Sequence, residues 1–354
     1  MSEEGSFMKQ SWRRGPLLFK FAAAALVNTA AIAPVQSADY YAGKTIEILV
    51  GSAAGGGFDI YSRALARHWG RLIPGNPTIV VRNMPGAGGA RSAAYVSSVA
   101  PKDGTVLAAP MPGAIVGPLL DEKPETGFDP VRLQYLGTAD SGVRVCVTMD
   151  RSKIRTFADA LTTKAVMGAT AAGGSSSDYA YLHRHTSGAQ FSVVSGYQGM
   201  SDTSLAMERG EIDGTCGWDW SSLKSMKPDW IKERRVNILF QVGLKPDPEL
   251  TAMGVPEIWK FLKTEEDRRV VELVASQQVF MRFFVAPPAT PPEQVRALRT
   301  AFDAAMKDPE FLRDAERLNL SIKPQSGDQV QELVQRMYAT PREIVERTKR
   351  AIRP

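Results

Sequence analysis

The chain has 354 residues, 44% of them hydrophobic and 23% charged, with 43 Lys and Arg against 38 Asp and Glu for a formal net charge of +5. That length suits two domains, and that composition suits a globular fold rather than a disordered or fibrous one. Residues 1–37 carry +2 of the excess, and the remainder is too evenly balanced for a nucleic-acid footprint, with no Lys/Arg stripe interleaved with aromatics.

In chain order, "KQSWRRGPLLFK" supplies positive charge, and "FAAAALVNTAAIA" is an apolar run too short to span a bilayer. Small residues follow in "VQSAD", with Val35 and Ser37 at the −3 and −1 positions of a cut after Ser37. Residues 1–37 therefore read as a signal peptide, with Met8 as an alternative start and an N-terminal membrane anchor as the competing reading. Arg13-Arg14 fit a twin-arginine signal only loosely. No later stretch is long and apolar enough to span a membrane, so the mature chain is expected to be soluble outside the cytoplasm. Export makes the two cysteines informative: Cys146 in "VRVCVTM" and Cys216 in "DGTCGWD". An oxidising compartment favours one disulfide between them if the two strand-like runs are neighbours, against two buried thiols.

"TIEILVG" (45–51) predicts a strand, "DIYSRALARHWGRLI" (59–73) a helix with Asp59 as N-cap, and "TIVVRN" (78–83) a second strand. A glycine turn, "MPGAGGARS", leads into the helix "SAAYVSSVA" and the strand "VLAAPM" (106–111). This β-α-β-α-β order predicts a mostly parallel sheet covered by helices. The same grammar restarts with the strand "VRVCVTM", the helix "TFADALTT", the strand "AVMGAT", the loop "AAGGSSSD" and the helix "YAYLHRHTS". "FSVVSGY", "IDGTCGW" and "VNILFQVG" (236–243) are further strands, with "SDTSLAMERGE" a helix among them. "LQYLGTADSG" (133–142) is expected to connect two α/β lobes and "LKPDPEL" (244–250) to return. "FFVAPPATPPEQVRALRTAF" and the tail add one strand and several helices, and the Pro cluster at 287–292 marks a hinge or turn. The expected division is residues 39–139 plus 245–354 for one lobe and 140–244 for the other.

In an open α/β sheet, ligands sit beyond the carboxyl ends of the strands. "SAAGGGFD" (52–59) and "TAAGGSSSD" (170–178) both fall there, each with small residues, a glycine cluster and an Asp at an expected helix N-cap. Such loops offer backbone N–H groups, and the helix end adds about half a positive charge, so the chemistry suits an anion. Ser175, Ser176 and Ser177 add hydroxyls. The first loop has neither the G-x-G-x-x-G order nor the Lys-Ser/Thr ending of a phosphate loop, which argues against a nucleotide.

"TIEILVGSAAGGGFDIYSRALARHW", "VVRNMPGAGGARSAAYVSSVAPKDGTVL", "SGYQGMSDTSLAMERGEIDGTCGW" and "FFVAPPATPPEQVRALRTAFDAAMKDPEF" together resemble the Bug-type solute receptors of tripartite tricarboxylate transporters. The resemblance covers essentially the whole mature chain in order. It implies a two-lobed α/β periplasmic binding protein, type II-like, with a ligand cleft between the lobes and no cofactor. It implies a small organic carboxylate as ligand, membrane permease subunits as partners, a periplasmic location and a monomer. In the family much of the ligand contact comes from backbone amides and bridging waters. The family's first loop matches Ala53, Ala54, Gly55, Gly56, Gly57 and Asp59, and the segment after its third strand matches Met111, Pro112, Gly113 and Ala114. Its second-lobe loop matches Ala171, Gly173, Gly174, Ser175, Ser176, Ser177 and Asp178, and its Tyr-x-Gly segment matches Tyr197 and Gly199. The sequence departs from the family at Ala53, where a Pro is usual, at Ala90-Arg91, and at Gly217, where an Asp is frequent.

Other features carry less. His183 and His185 are two apart on a helix and do not share a face, and no Cys/His/carboxylate cluster suits a metal. "GGSSS" is not a G-x-S-x-G nucleophile elbow. In "GWDWSSL" (217–223) Asp219 reads as a cap for the next helix, with a cleft wall as the alternative. Arg91 and Arg144 read as structural or solvated arginines, though either has the fork to meet a carboxylate. An anion-binding receptor in transport is thus the leading function. An exported hydrolase or transferase using the same cleft, and a receptor for a membrane sensor, are the competing ones.

Overall fold

The computed structural model describes residues 40–52, 54–55, 57–120, 127–170, 174–197 and 199–354. The expected signal peptide, its cut near Ser37, and the site candidates Ala53, Gly56, Ala171 and Gly173 lie outside the described residues. No helix among the described residues is long and apolar enough to cross a membrane.

Eleven strands among these residues form two sheets. The first holds β1 (Thr45–Val50), β2 (Thr78–Asn83), β3 (Val106–Ala109), β4 (Gln134–Thr138), β10 (Phe283–Ala286) and β11 (Gln325–Ser326), in the order β11-β4-β10-β3-β1-β2. The second holds β5 (Arg144–Met149), β6 (Ala165–Ala169), β7 (Phe191–Ser195), β8 (Gly214–Asp219) and β9 (Val236–Val242), in the order β7-β6-β8-β5-β9. β1 pairs in parallel with β2 and β3, from Thr45 opposite Thr78 to Val50 opposite Asn83 on the β2 side. The expectation of a mostly parallel sheet is corrected at the other edge. β10 runs antiparallel to both β3 and β4, and β11 runs antiparallel to β4. In the second sheet β6 is parallel to β7 and β8, and β5 is antiparallel to β8 and β9. Both sheets are mixed because an interior strand of each, β10 in the first and β5 in the second, follows in the chain directly from the other sheet and runs against both its neighbours.

Two sequence readings shift at the element boundaries. "LQYLGTADSG" was expected as a connection, but its first half is β4, buried beyond Gln134 and lying between β10 and β11. Only residues 139–143 cross to the second sheet. The Gly57–Trp69 helix begins two residues before Asp59, and the Ser175–Thr186 helix begins three before Asp178. Neither Asp is an N-cap: the cap of the second helix is Gly174.

Cys146 and Cys216 are joined by a disulfide between antiparallel neighbours β5 and β8, where a register irregularity falls between Val145 and Val147. The strands are buried on both faces, as mixed sheets covered by helices require. Trp69 is fully buried and meets Phe284 and Phe302 edge to face at 5.6 Å each, locking the Gly57–Trp69 helix to β10 and the Pro292–Ala305 helix. Val143, Val145, Trp218, Trp220, Trp230 and Leu250 form a separate core beneath the second sheet. A third cluster runs continuously from β1, β4 and β10 through the Glu265–Ala275 and Arg342–Ala351 helices to Cys146, Met167 and Phe240. The two sheets are therefore tied along one side by shared apolar packing.

Candidate functional site

The carboxyl end of β1 runs into residues 51–57 and the Gly57–Trp69 helix. Gly51 is pinned by close approach: a Cβ there would stand 3.0 Å from the Gly89 Cα and 3.2 Å from the Pro110 Cα. Gly89, at φ 88°, packs in turn on the Met111 backbone, where a Cβ would lie 2.5 Å from its nitrogen. The turn after β2, the segment after β3 and the loop after β1 thus form one surface at the strand ends. Ala54, Gly55 and Gly57 are exposed there, Met111 and Pro112 are half-buried, and Gly113 is exposed at a helix start.

Asp59 organises this loop from inside. It is 3% exposed and accepts from the Gly55 N–H at 2.8 Å, from Arg63 Nε at 2.9 Å and from Asn83 Nδ2 at 2.9 Å. Asn83 Nδ2 also reaches the Ser52 carbonyl at 3.0 Å. Burial alone would raise the Asp59 carboxyl, but the bonds from Arg63, Gly55 and Asn83 outweigh it and hold it below the ordinary carboxylate value. An aspartate so committed shapes the loop, and as an ionised acceptor-only group it would repel a ligand anion rather than bind it. Gly55, at φ 78°, takes the left-handed turn that aims its N–H back at Asp59.

The second loop is held differently. Ser176 is buried, and its Oγ accepts from the Thr170 N–H at 2.9 Å and meets Thr170 Oγ1 at 3.0 Å. Ser177 is also buried, while Gly174, Ser175 and Asp178 are half-buried. β8 presses on this helix start: Gly217 has φ 66°, and a Cβ on it would stand 2.4 Å from the Ser175 carbonyl. No other residue fits that contact, which explains a glycine where the family frequently has Asp. Tyr197 donates its N–H to Ala169 O at 3.3 Å and lays its half-buried ring 3.2 Å from where Gly168 would carry a Cβ. Gly199 accepts from Thr203 at the next helix start.

Between the sheets stands a group that reading the sequence missed. Arg282 precedes β10, its guanidinium 4.6 Å from the centre of the Phe58 ring and 4.6 Å from that of Tyr61. Its Nη1 donates to Met281 O at 2.5 Å, and its buried Nε has no partner among the described residues. Nearby Asp140 is 4% exposed and accepts from Ser321 Oγ at 3.1 Å. Burial, and then the charge of Asp219, push its carboxyl up to about 6 against the opposing pull of Arg282. The signal in the sequence was one charged residue inside the apolar run "VFMRFFVA". Asp219 caps the Trp220–Met226 helix through Ser222 N at 3.0 Å, as its position suggested. Arg144 donates to Gly217 O at 2.6 Å and lies 3.8 Å from Met281 Sδ, while Arg91 is exposed.

The histidines lie elsewhere. His183 is sealed against Phe240, its rings 4.6 Å apart, and burial pulls its pKa down to about 3, so it is neutral. His185 meets Ala351 O at 3.0 Å. Among the described residues His68, Asp308 and Glu310 bring metal-type ligand atoms within 4.8 Å of one another. Arg71 already bridges Asp308 at 2.6 Å and Glu310 at 2.8 Å, so a cation of the protein's own stands where a metal would.

No family model matches the chain. It is 24% identical to a UPF0065 protein of Cupriavidus necator, over 92% of this chain and 94% of that one. It is 27% identical to a UPF0065 protein of Agrobacterium vitis, over 80% and 78%. Its neighbours in fold are TctC- and Bug-type solute-binding proteins. A Polaromonas TctC solute-binding protein superposes with a TM-score of 0.64 at 17% identity, covering 87% of this chain and 99% of the other. An adipate-bound Rhodopseudomonas palustris protein gives 0.58 at 19%, covering 87% and 97%. The malate-bound MatC of that organism gives 0.54 at 17%, covering 88% and 99%. The fold is thus that of the two-sheet α/β periplasmic binding proteins.

Proposed function

We propose that the protein is an exported, periplasmic solute receptor, acting as a monomer. It captures a small organic dicarboxylate in a cleft between two lobes, 39–139 with 245–354 and 140–244. It then delivers the ligand to the membrane permease subunits of a tripartite tricarboxylate-type transporter. The observation that carries this reading is the placement of small-residue loops and helix starts at the carboxyl ends of the parallel strands in both sheets. That is where open α/β sheets bind ligands. The malate- and adipate-bound neighbours in fold support the ligand class.

Capture needs no bond chemistry. Residues 139–143 and the return segment after β9 act as hinges, and closure brings backbone N–H groups of both loops to the ligand oxygens. The hydrolase reading gains no support, since Ser176 is committed to Thr170 and His183 is sealed in the core. The test is a thermal-shift screen of residues 38–354 against malate, adipate, citrate and monocarboxylates. A ligand at 100 times its Kd adds about 2.7 kcal/mol of stability. A clear shift with a di- or tricarboxylate supports the reading, and a flat response across the panel contradicts it.

A further inference from the structure

We propose that Arg282 is the side-chain cation that receives a ligand carboxylate in this site, and that position 57 is glycine so that the guanidinium can stand at the start of the Gly57–Trp69 helix. The inference rests on the anion-receptor reading above and adds a specific charged anchor to a site otherwise built of backbone groups.

Four observations converge. Arg282 is half-buried, and its Nε is cut off from water without a hydrogen-bond partner among the described residues. No carboxylate oxygen among the described residues lies within 4.0 Å of it. Two arginines of the same half are paired, Arg67 with Asp314 at 2.6 Å and Arg71 with Asp308 at 2.6 Å. The nearby acids are otherwise engaged: Asp140 takes Ser321 Oγ, and Asp219 takes Ser221 Oγ at 2.6 Å and Ser222 N at 3.0 Å. Finally, Nη2 lies 2.9 Å from the point a Gly57 Cβ would occupy, so an alanine there would push against the fork.

A partly desolvated cation that feels the charge of Asp140 but has no carboxylate of the described residues in ion-pair contact is costly, because water is withdrawn from it and only the Met281 carbonyl replaces part of that water. The faces of Phe58 and Tyr61 offset part of that cost through cation–π contact. They flank the guanidinium, whose Nη1 is bonded to Met281 O and whose Nη2 stands beside Gly57 at the helix start. A carboxylate is the complement, since it can accept two parallel N–H bonds from the fork. The N–H groups of the adjoining helix start add partial positive charge on the same side. A neutral amide analogue of the same shape lacks the charge this arrangement waits for.

The test compares the wild type with Arg282→Gln, Arg282→Met and Gly57→Ala by calorimetry, using malate, adipate and their diamides as probes, alongside melting of the ligand-free proteins. Losing a charge-assisted bond of about 1.5–3 kcal/mol weakens binding roughly 10- to 100-fold, so Arg282→Gln is expected to lose that much for the diacids. Gly57→Ala is expected to lose less while melting no lower than wild type, since alanine suits a helix better than glycine. The diamides should not bind measurably. Unchanged diacid affinity in Arg282→Gln overturns the proposal. If the wild type binds no carboxylate at all, the receptor reading fails and the melting comparison alone decides Arg282. An Arg282→Met protein that melts as high as or higher than wild type then supports a cation held for an absent anion. One that melts lower marks a structural arginine and overturns the proposal.

Discussion

The loop ahead of the Gly57–Trp69 helix is fixed by a charge, and the loop ahead of the Ser175–Thr186 helix by a hydroxyl. In the first, one buried carboxylate gathers a backbone N–H, an arginine and an asparagine. In the second, Ser176 closes on Thr170, and the stiffness behind it comes from the Cys146–Cys216 bond and the close seat of Gly217 on Ser175. The described residues at two stretches with the same small-residue pattern are thus held by different means. The first depends on ionisation, and the second depends on redox state and packing. Conditions that soften one half should leave the other comparatively intact, and the predictions below press on that difference.

The largest effect is expected from removing the disulfide. It closes a loop of 70 residues, and the chain-entropy model assigns such a link about 4 kcal/mol. A Cys146→Ala/Cys216→Ala protein should lose hydrogen-exchange protection throughout β5–β9, with β1–β3 changing far less. Equal loss in both sheets would show that the halves unfold as one unit and erase the distinction.

Next is Asp59→Ala, which strands the Gly55 N–H and frees Arg63 and Asn83. A loss of about 2 kcal/mol in urea unfolding is expected. In wild type this contribution has a definite pH sense. The folded-state pKa of Asp59 is depressed, so its stabilisation is present above the ordinary carboxylate range and lost as pH falls through the folded value. Asp140 runs the other way. Its pKa is raised to about 6, so the folded state holds the proton more tightly than the unfolded chain, and this group's contribution weakens as pH rises from about 4 toward 7. Asp140→Asn keeps an oxygen for Ser321 and drops the charge. It should be about 1–2 kcal/mol more stable than wild type at pH 7, with the gain gone near pH 4. A stability difference that ignores pH would contradict an ionised, poorly solvated Asp140.

The smallest effect is expected for Ser176→Ala. It leaves the Thr170 N–H short of an acceptor at a cost of about 1 kcal/mol and carries no pH dependence below neutrality. A cost as large as that of Asp59→Ala would mean that the second loop is held as tightly as the first.

Much of this architecture was legible in the sequence because strand alternation and βα order are local signals. β2 falls on 78–83 as read, and β5, β6 and β9 fall within a residue of their expected ends. β4 was missed because "LQYLGT" is a short, buried strand whose partners β10 and β11 lie far along the chain, a pairing that periodicity cannot express. The aspartates after the two loops were read as caps because Asp at a helix start usually caps. Here the helices begin earlier, at Gly57 and at Ser175, and Asp59 bonds backward to Gly55 from within the first turn. Arg282 was invisible for a related reason. Its meaning lies in Phe58, Tyr61 and Gly57, more than two hundred positions away, and in having no ion-paired carboxylate among the described residues.

The central claim is that loops from both sheets hold one ligand. Hydrogen exchange measured with and without whichever of malate and adipate raises the melting temperature tests it directly. The account predicts that peptides covering residues 50–60 and 168–178 gain protection together on saturation, in wild type and not in Arg282→Gln at the same ligand concentration. Protection confined to one of the two loops, or appearing elsewhere with both unchanged, would contradict it.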